Sequence, residues 1–160
     1  MDTNPRSVMP EYGSVFLAML VLAASCDLCL GDVVINEVEL SPPDNGTVWV
    51  ELYNTGDEAV DISGWTVRIV DEPWSGSIEV EGAIGPKGFL VADGQPRWVT
   101  SGNGTVLLLM ADGTVADRTP VLSDTEQTDF TYGRLPDGRR TETRADFAFM
   151  MASRGRPNGL

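Results

Sequence analysis

From Val33 to the C-terminus, apolar and polar residues alternate with a period of two rather than 3.6. VWVELYN (48–54) sets Val48, Val50 and Leu52 on one side of a pleat against Trp49, Glu51 and Tyr53 on the other. VVINEVEL (33–40), WTVRIV (65–70), SIEVEG (77–82), TVADRT (114–119), FTYGRL (130–135) and a segment near 143–150 also read as strands. FLVAD (89–93) and VLLLMAD (106–112) are more continuously apolar, the pattern of strands in the middle of a sheet. Turn formers punctuate them: Ser41-Pro42-Pro43-Asp44-Asn45-Gly46, the hairpin signal Asp112-Gly113, and Pro136-Asp137-Gly138. No helical stripe occurs after residue 31. About eight or nine short strands with frequent turns predict an all-β fold, an immunoglobulin-like antiparallel β-sandwich. Residues 32–160 show no repeat and no long linker, and so form one domain.

The first thirty-one residues differ. VFLAMLVLAA (15–24) is a ten-residue apolar block, and as a helix it rises about 15 Å, too little to span a bilayer. Its length fits the hydrophobic region of a signal peptide. Residues 1–31 are therefore expected to be a short leader helix that directs export. Two processing routes are open. Cleavage after Gly31 would leave a mature chain without cysteine, whereas Ala24-Ser25-Cys26 loosely resembles a lipoprotein signal that would place a lipid on Cys26. The spacing Cys26-Asp27-Leu28-Cys29 is C-x-x-C in form, but it ends a leader rather than opening a helix in a redox fold.

Charge and composition narrow the chemistry. Eleven basic against twenty-four acidic residues leave a net charge of −13, which opposes binding to nucleic acid. Histidine is absent, and with it the commonest general base and zinc ligand. Asp57, Glu58 and Asp61 share the loop before Ser63-Gly64-Trp65 and are the calcium candidates, although the EF-hand order of ligands is missing. Asp61 and Ser63 more naturally bond local backbone amides, with Gly64 supplying the unusual dihedral. Glu51, in an otherwise apolar strand, needs partners if it points inward, and Asn36 or Arg134 are available. Lys87 sits at a hairpin tip, Gly85-Pro86-Lys87-Gly88, and is not expected to serve as a base. Trp74 and Trp98 fall in apparent loops and are the candidates for contact with a ligand. Asn45-Gly46-Thr47 and Asn103-Gly104-Thr105 are N-glycosylation sequons in turn contexts.

Several segments taken together resemble the lamin tail domain. They are VINEVEL, WVELYNTGDEAVDISGWTV, GPKGFLVADG and GTVLLLMADGTVADR, while the closing YGRLPDG and GRPNG look like the version found in prokaryotic secreted and surface proteins. The resemblance runs over about residues 33–159. It departs at the end: Ser153-Arg154-Gly155-Arg156 stands where Thr-Pro-Gly is common, and Phe147 or Phe149 where a tryptophan is often seen. The resemblance implies an immunoglobulin-like sandwich without catalytic residues, metal or cofactor. It further implies a secreted or surface-associated module that binds or tethers a protein or glycan partner at the cell envelope. Membrane contact would come only through the leader or a lipid on Cys26. The competing expectation is a small extracellular hydrolase or a cation-dependent accessory domain that uses surface carboxylates.

Overall fold

The computed structural model describes Met1, residues 33–96, Trp98 and residues 100–159. The expected leader, with Cys26 and Gly31, lies outside these residues. The strands are β1 (Val33–Glu39), β2 (Trp49–Asn54), β3 (Val60–Asp61), β4 (Trp65–Asp71), β5 (Trp74–Val80) and β6 (Ala83–Ile84). They continue with β7 (Phe89–Asp93), β8 (Asn103–Leu109), β9 (Val115–Arg118), β10 (Leu122–Ser123), β11 (Phe130–Arg134) and β12 (Phe147–Met151). Single 3-10 turns lie at Pro43–Asn45 and Arg144–Asp146, and no α-helix occurs among the described residues.

All the strands expected from the alternation are present. The pieces it did not signal, β3, β6 and β10, are two residues each, too short for a period of two to register. Three boundaries move. Strand β5 begins at Trp74 rather than 77, β8 runs over Asn103–Leu109, and β12 begins only after the 3-10 turn.

Two antiparallel sheets stack. The first has the order β12-β11-β1-β2-β7; the second has β10-β8-β4-β5, with β9 also paired to β8. Val33, Ile35, Val38, Val48, Val50 and Leu52 of the first sheet share one core with Trp65, Val67, Ile69, Val106 and Leu108 of the second. This is the two-sheet sandwich that the alternation predicts. A β-bulge between Ile35 and Glu37 interrupts the β1–β2 ladder. Its extra residue lets both Asn36 and Glu37 bond on the outer side of the sheet while Val38 returns to the core.

The sheets are pinned by Arg134 at the end of β11. Its side chain is only 3% exposed. Its Nε donates to the Ile35 carbonyl at 2.7 Å and its Nη2 to Asp117 Oδ2 of β9 at 2.9 Å. Its Nη1 reaches the Arg139 carbonyl and lies 3.4 Å from Asp146 Oδ2. Asp117 Oδ2 also accepts the Ile35 N–H at 2.8 Å. Both backbone groups of Ile35 are thus satisfied by side chains beyond the point where β11 begins to pair with β1 at Glu37. The Phe147 ring packs on the guanidinium at 4.6 Å.

Removing one member of a buried ion cluster strands the other charges without water. Arg134→Leu is therefore expected to cost about 3–5 kcal/mol of stability. The measurement is the urea midpoint and slope of unfolding followed by tryptophan fluorescence, and an unchanged midpoint would remove the pinning role.

Candidate functional site

The acidic loop does not assemble a cation site. Asp57 pairs with Lys87 at 3.1 Å across solvent. Asp61 Oδ1 accepts the Ser63 N–H at 2.9 Å and the Ser63 hydroxyl at 2.6 Å, and these bonds hold its carboxyl below the usual range. Gly64 takes φ 77°, as the turn into Trp65 needs. The Glu58 carbonyl, not its carboxylate, accepts from Asn54 Nδ2 at 2.7 Å. Among the described residues, no group of three or more carboxylates, cysteines or histidines is placed to hold a metal ion.

Of the two tryptophans only Trp98 lies in a loop, between β7 and β8, and neither is fully open to solvent. Trp74 begins β5, and both Trp74 and Trp98 are half-buried against the core. Their rings meet edge-on at 5.1 Å, where β5 and β7, the outer strands of the two sheets, come together. A Cβ added at Gly76 would stand 2.7 Å from both rings, and one at Gly94 would stand 2.8 Å from Trp98. The pair therefore closes this side of the sandwich, with two glycines making room for it. Asn103 opens β8 with an exposed side chain, so its sequon starts a strand rather than occupying a turn; Asn45 ends the first 3-10 turn.

Glu51 belongs to a polar layer on the outer face of the first sheet, beneath the C-terminal segment 152–159. Its Oε1 accepts from Asn36 Nδ2 at 3.0 Å and its Oε2 from the Gly155 N–H at 2.5 Å. Glu37, beside it, accepts the Thr131 hydroxyl at 2.5 Å and the Ser153 N–H and hydroxyl at 2.9 and 2.8 Å. Asn158 anchors the segment through Arg134 O at 2.8 Å, and its own N–H bonds Asp137 at 3.0 Å. Asn36 is thus the partner of Glu51, and Arg134 is not; its guanidinium is taken by Asp117 and Asp146.

Burial raises Glu51 from 4.5 to about 7, offset in part by the bonds from Asn36 and Gly155. Glu39 also rises to about 7, through burial first and then through Asp124 and Glu37, against the bond from Ser41. Asp146 moves the other way. Burial alone would raise it, but the Thr141 hydroxyl and amide, the Thr143 amide and Arg134 outweigh that and hold it below 3.8. Asp124 is raised by burial, and its Oδ2 is the one buried side-chain oxygen without a hydrogen-bond partner among the described residues.

The opposite side of the sandwich is open. Strand β12 is an end strand of the first sheet, and among the described residues it pairs with β11 alone. Phe149 and Met151 there are 44% and 57% exposed, and Phe130 faces Met151 from β11. Tyr132, Phe149 and Phe130 form a ladder with ring separations of 5.0 and 5.5 Å, and the Arg144 guanidinium lies 4.7 Å over Tyr132. Next to Phe147, a groove of about 370 Å³ is lined by Leu107, Arg118, Pro120, Thr143 and Arg144. A second depression of about 470 Å³ adjoins it and shares Leu107, Arg118 and Glu142. Sequence reasoning overlooked this region, although FAFMM, a strand without charge or proline, is itself the signal of an unguarded edge.

Against protein-family models, residues 30–131 match the Lamin Tail Domain, well over half of the chain. The chain belongs to the lamin tail domain family. The match takes in β1 through the start of β11, while β12 and the C-terminal segment lie beyond it. No curated protein shows significant similarity. The lamin tail domain is an immunoglobulin-like, non-enzymatic domain family, and the observed sandwich is consistent with that fold. In this lamin tail domain the buried carboxylates Glu37 and Glu51 anchor the C-terminal segment.

Two expectations follow. Gly76→Ala should destabilise the protein by about 1–3 kcal/mol, because the new methyl cannot fit beneath the two rings; a melt like that of the parent would contradict the closed edge. For pH, the folded state holds the Glu39 and Glu51 protons more tightly than the unfolded chain, so stability falls as pH rises from about 4.5 to about 7. The melting temperature should accordingly rise on acidification from about pH 8 to about pH 5, and Glu51→Gln should flatten part of that rise. A profile unaffected by Glu51→Gln would show that this carboxyl is ionised when folded.

Proposed function

We propose that this lamin tail domain is an exported, non-catalytic binding or tethering module. It holds a protein or glycan partner at the cell surface or outside the cell, and residues 1–31 serve as its leader. The observation that carries this reading is the contrast between its buried carboxylates and its exposed aromatic groups. The buried carboxylates that could resemble a reaction centre are engaged by fixed donors under the C-terminal segment, whereas the aromatic ladder on β11 and β12 is open to solvent. A contiguous apolar patch on a charged monomer is the usual sign of an interaction surface. The hydrolase reading would need Glu51 in a cleft, and both oxygens of that carboxyl are already bonded.

The test has two parts. Intact-mass analysis of protein recovered from the producing cells should show residues 1–31 removed, or a lipid on Cys26. The same protein, fluorescently labelled, should be retained saturably on envelope fragments of those cells. An uncleaved, unlipidated chain found inside the cell, or an absence of saturable retention, would overturn the proposal.

A further inference from the structure

Resting on the reading of the chain as a binding module, we propose that the free edge of β12 and the adjoining Arg118 groove take an extended acidic peptide. The peptide adds as a sixth strand of the first sheet, with one carboxylate seated against Arg118 and Arg144.

The backbone supplies the first argument. The β11–β12 ladder is bracketed by Leu135 N–H to Asp146 O at 3.2 Å and Ala152 N–H to Asp129 O at 2.8 Å. Antiparallel alternation then turns the backbone groups of Ala148 and Met150 toward β11 and those of Phe149 and Met151 away from it. No strand among the described residues pairs with that outward side. Natural sheets guard such edges with lysine, proline or a covering loop. From Phe147 to Ala152 this edge has neither charge nor proline.

The side chains supply the second. Phe147, Phe149 and Met151 alternate onto one face, opposite Arg134, Tyr132 and Phe130. An added strand would lay every second side chain on the exposed part of that row.

Charge selects the occupant. The Arg118 side chain makes no hydrogen bond or ion pair among the described residues, in a chain whose net charge is −13. Arg144 gives one bond to the Phe147 carbonyl at 2.8 Å and otherwise lies over Tyr132. Glu142 of the same groove is paired with Arg140 at 2.7 Å. Two guanidinium groups without carboxylate partners therefore line the groove beside the first residue of β12. Of the carboxylates lining the same groove, Asp146 is held by Arg134 and Glu142 by Arg140, so Arg118 and Arg144 are left for an incoming carboxylate, and charges beyond about 8 Å are screened at physiological ionic strength. A glycan could use the rings and the guanidinium groups but would leave the row of outward N–H and C=O groups unmatched. A peptide strand matches it.

The experiment pans the protein, as recovered from its producing cells, against a displayed library of random peptides about twelve residues long, enough to span the edge and reach the groove. Enrichment of sequences with an aspartate or glutamate beside alternating apolar residues is expected. A selected peptide, synthesised and titrated calorimetrically, should lose about tenfold or more in affinity with Arg118→Glu, with Phe149→Lys and with Met151→Pro. The last removes an outward N–H together with the Met151 side chain and leaves the β11 ladder intact, so a Met151→Ala control separates the two; thermal melts of all the variants should stay near the parent.

Failure to enrich such peptides, or selected peptides that ignore Arg118→Glu, would overturn the proposal. Binding abolished by Arg118→Glu but untouched by Met151→Pro would mean that an anion is held without strand addition, which also overturns it. Saturable retention on envelope fragments would survive either of these results if the module acts through another surface. Loss of that retention in the parent protein is what sinks the broader reading.

Discussion

A guanidinium almost wholly removed from water sits where the two sheets meet, and the surrounding chain is arranged to satisfy it. Arg134 bonds a strand carbonyl, the Asp117 carboxylate and a loop carbonyl, with a second carboxylate at 3.4 Å. It therefore ties β11, β1, β9 and the 3-10 turn before β12 into one register. Desolvating such a cluster is expensive, so its net gain over a hydrophobic substitute is small. Its consequence is specificity: any shift of β9 or of the turn would leave a charge buried alone. Arg134 also continues the aromatic row, since Phe147 stacks on it and Phe149 follows on the same face.

The central strands of the first sheet, β1 and most of β2, are buried on both faces, whereas an antiparallel sandwich commonly leaves its outer faces to solvent. Every residue of β1 is buried. The inner face meets the second sheet, and the outer face lies under the C-terminal segment, held by Glu37, Glu51, Asp137 and Asn158. This layer has carboxylates but no buried cation, unlike the Arg134 cluster. Burial there raises Glu51 to about 7, whereas the bonds to Asp146 and the nearby guanidinium outweigh burial and lower that group. Two buried carboxyls, one glutamate and one aspartate, thus shift in opposite directions in these two surroundings. A raised carboxyl is a common mark of a catalytic acid. Here it reflects the covering of a sheet face.

The two lateral edges of the sandwich contrast in the same way. At β5 and β7, two tryptophans fill the gap over two glycines, and the edge is closed. At β12 the ladder of aromatic rings runs from Tyr132, which bonds the Ser123 carbonyl of β10, out to the exposed Phe149 and Phe130. Binding surfaces tend to lie where a rigid scaffold presents apolar groups that packing has left unused, and the open edge meets that description.

Alternation determined the long strands, their faces and the sandwich, because the in-or-out choice at each residue is local and repeats every two positions, whereas the two-residue strands β3, β6 and β10 left no such signal. That Val48, Val50 and Leu52 share one face could be read from the sequence, as could the turn of Asp61 with Ser63. Distant pairings could not be. That Arg134 finds Asp117 and Asp146 rather than Glu51, that Trp74 and Trp98 meet over Gly76, and that Gly155 bonds Glu51 across 104 positions all depend on strand order. A period of two says which face a side chain joins and nothing about what comes to lie against that face. Only the tertiary structure decided which edge closed and which stayed open.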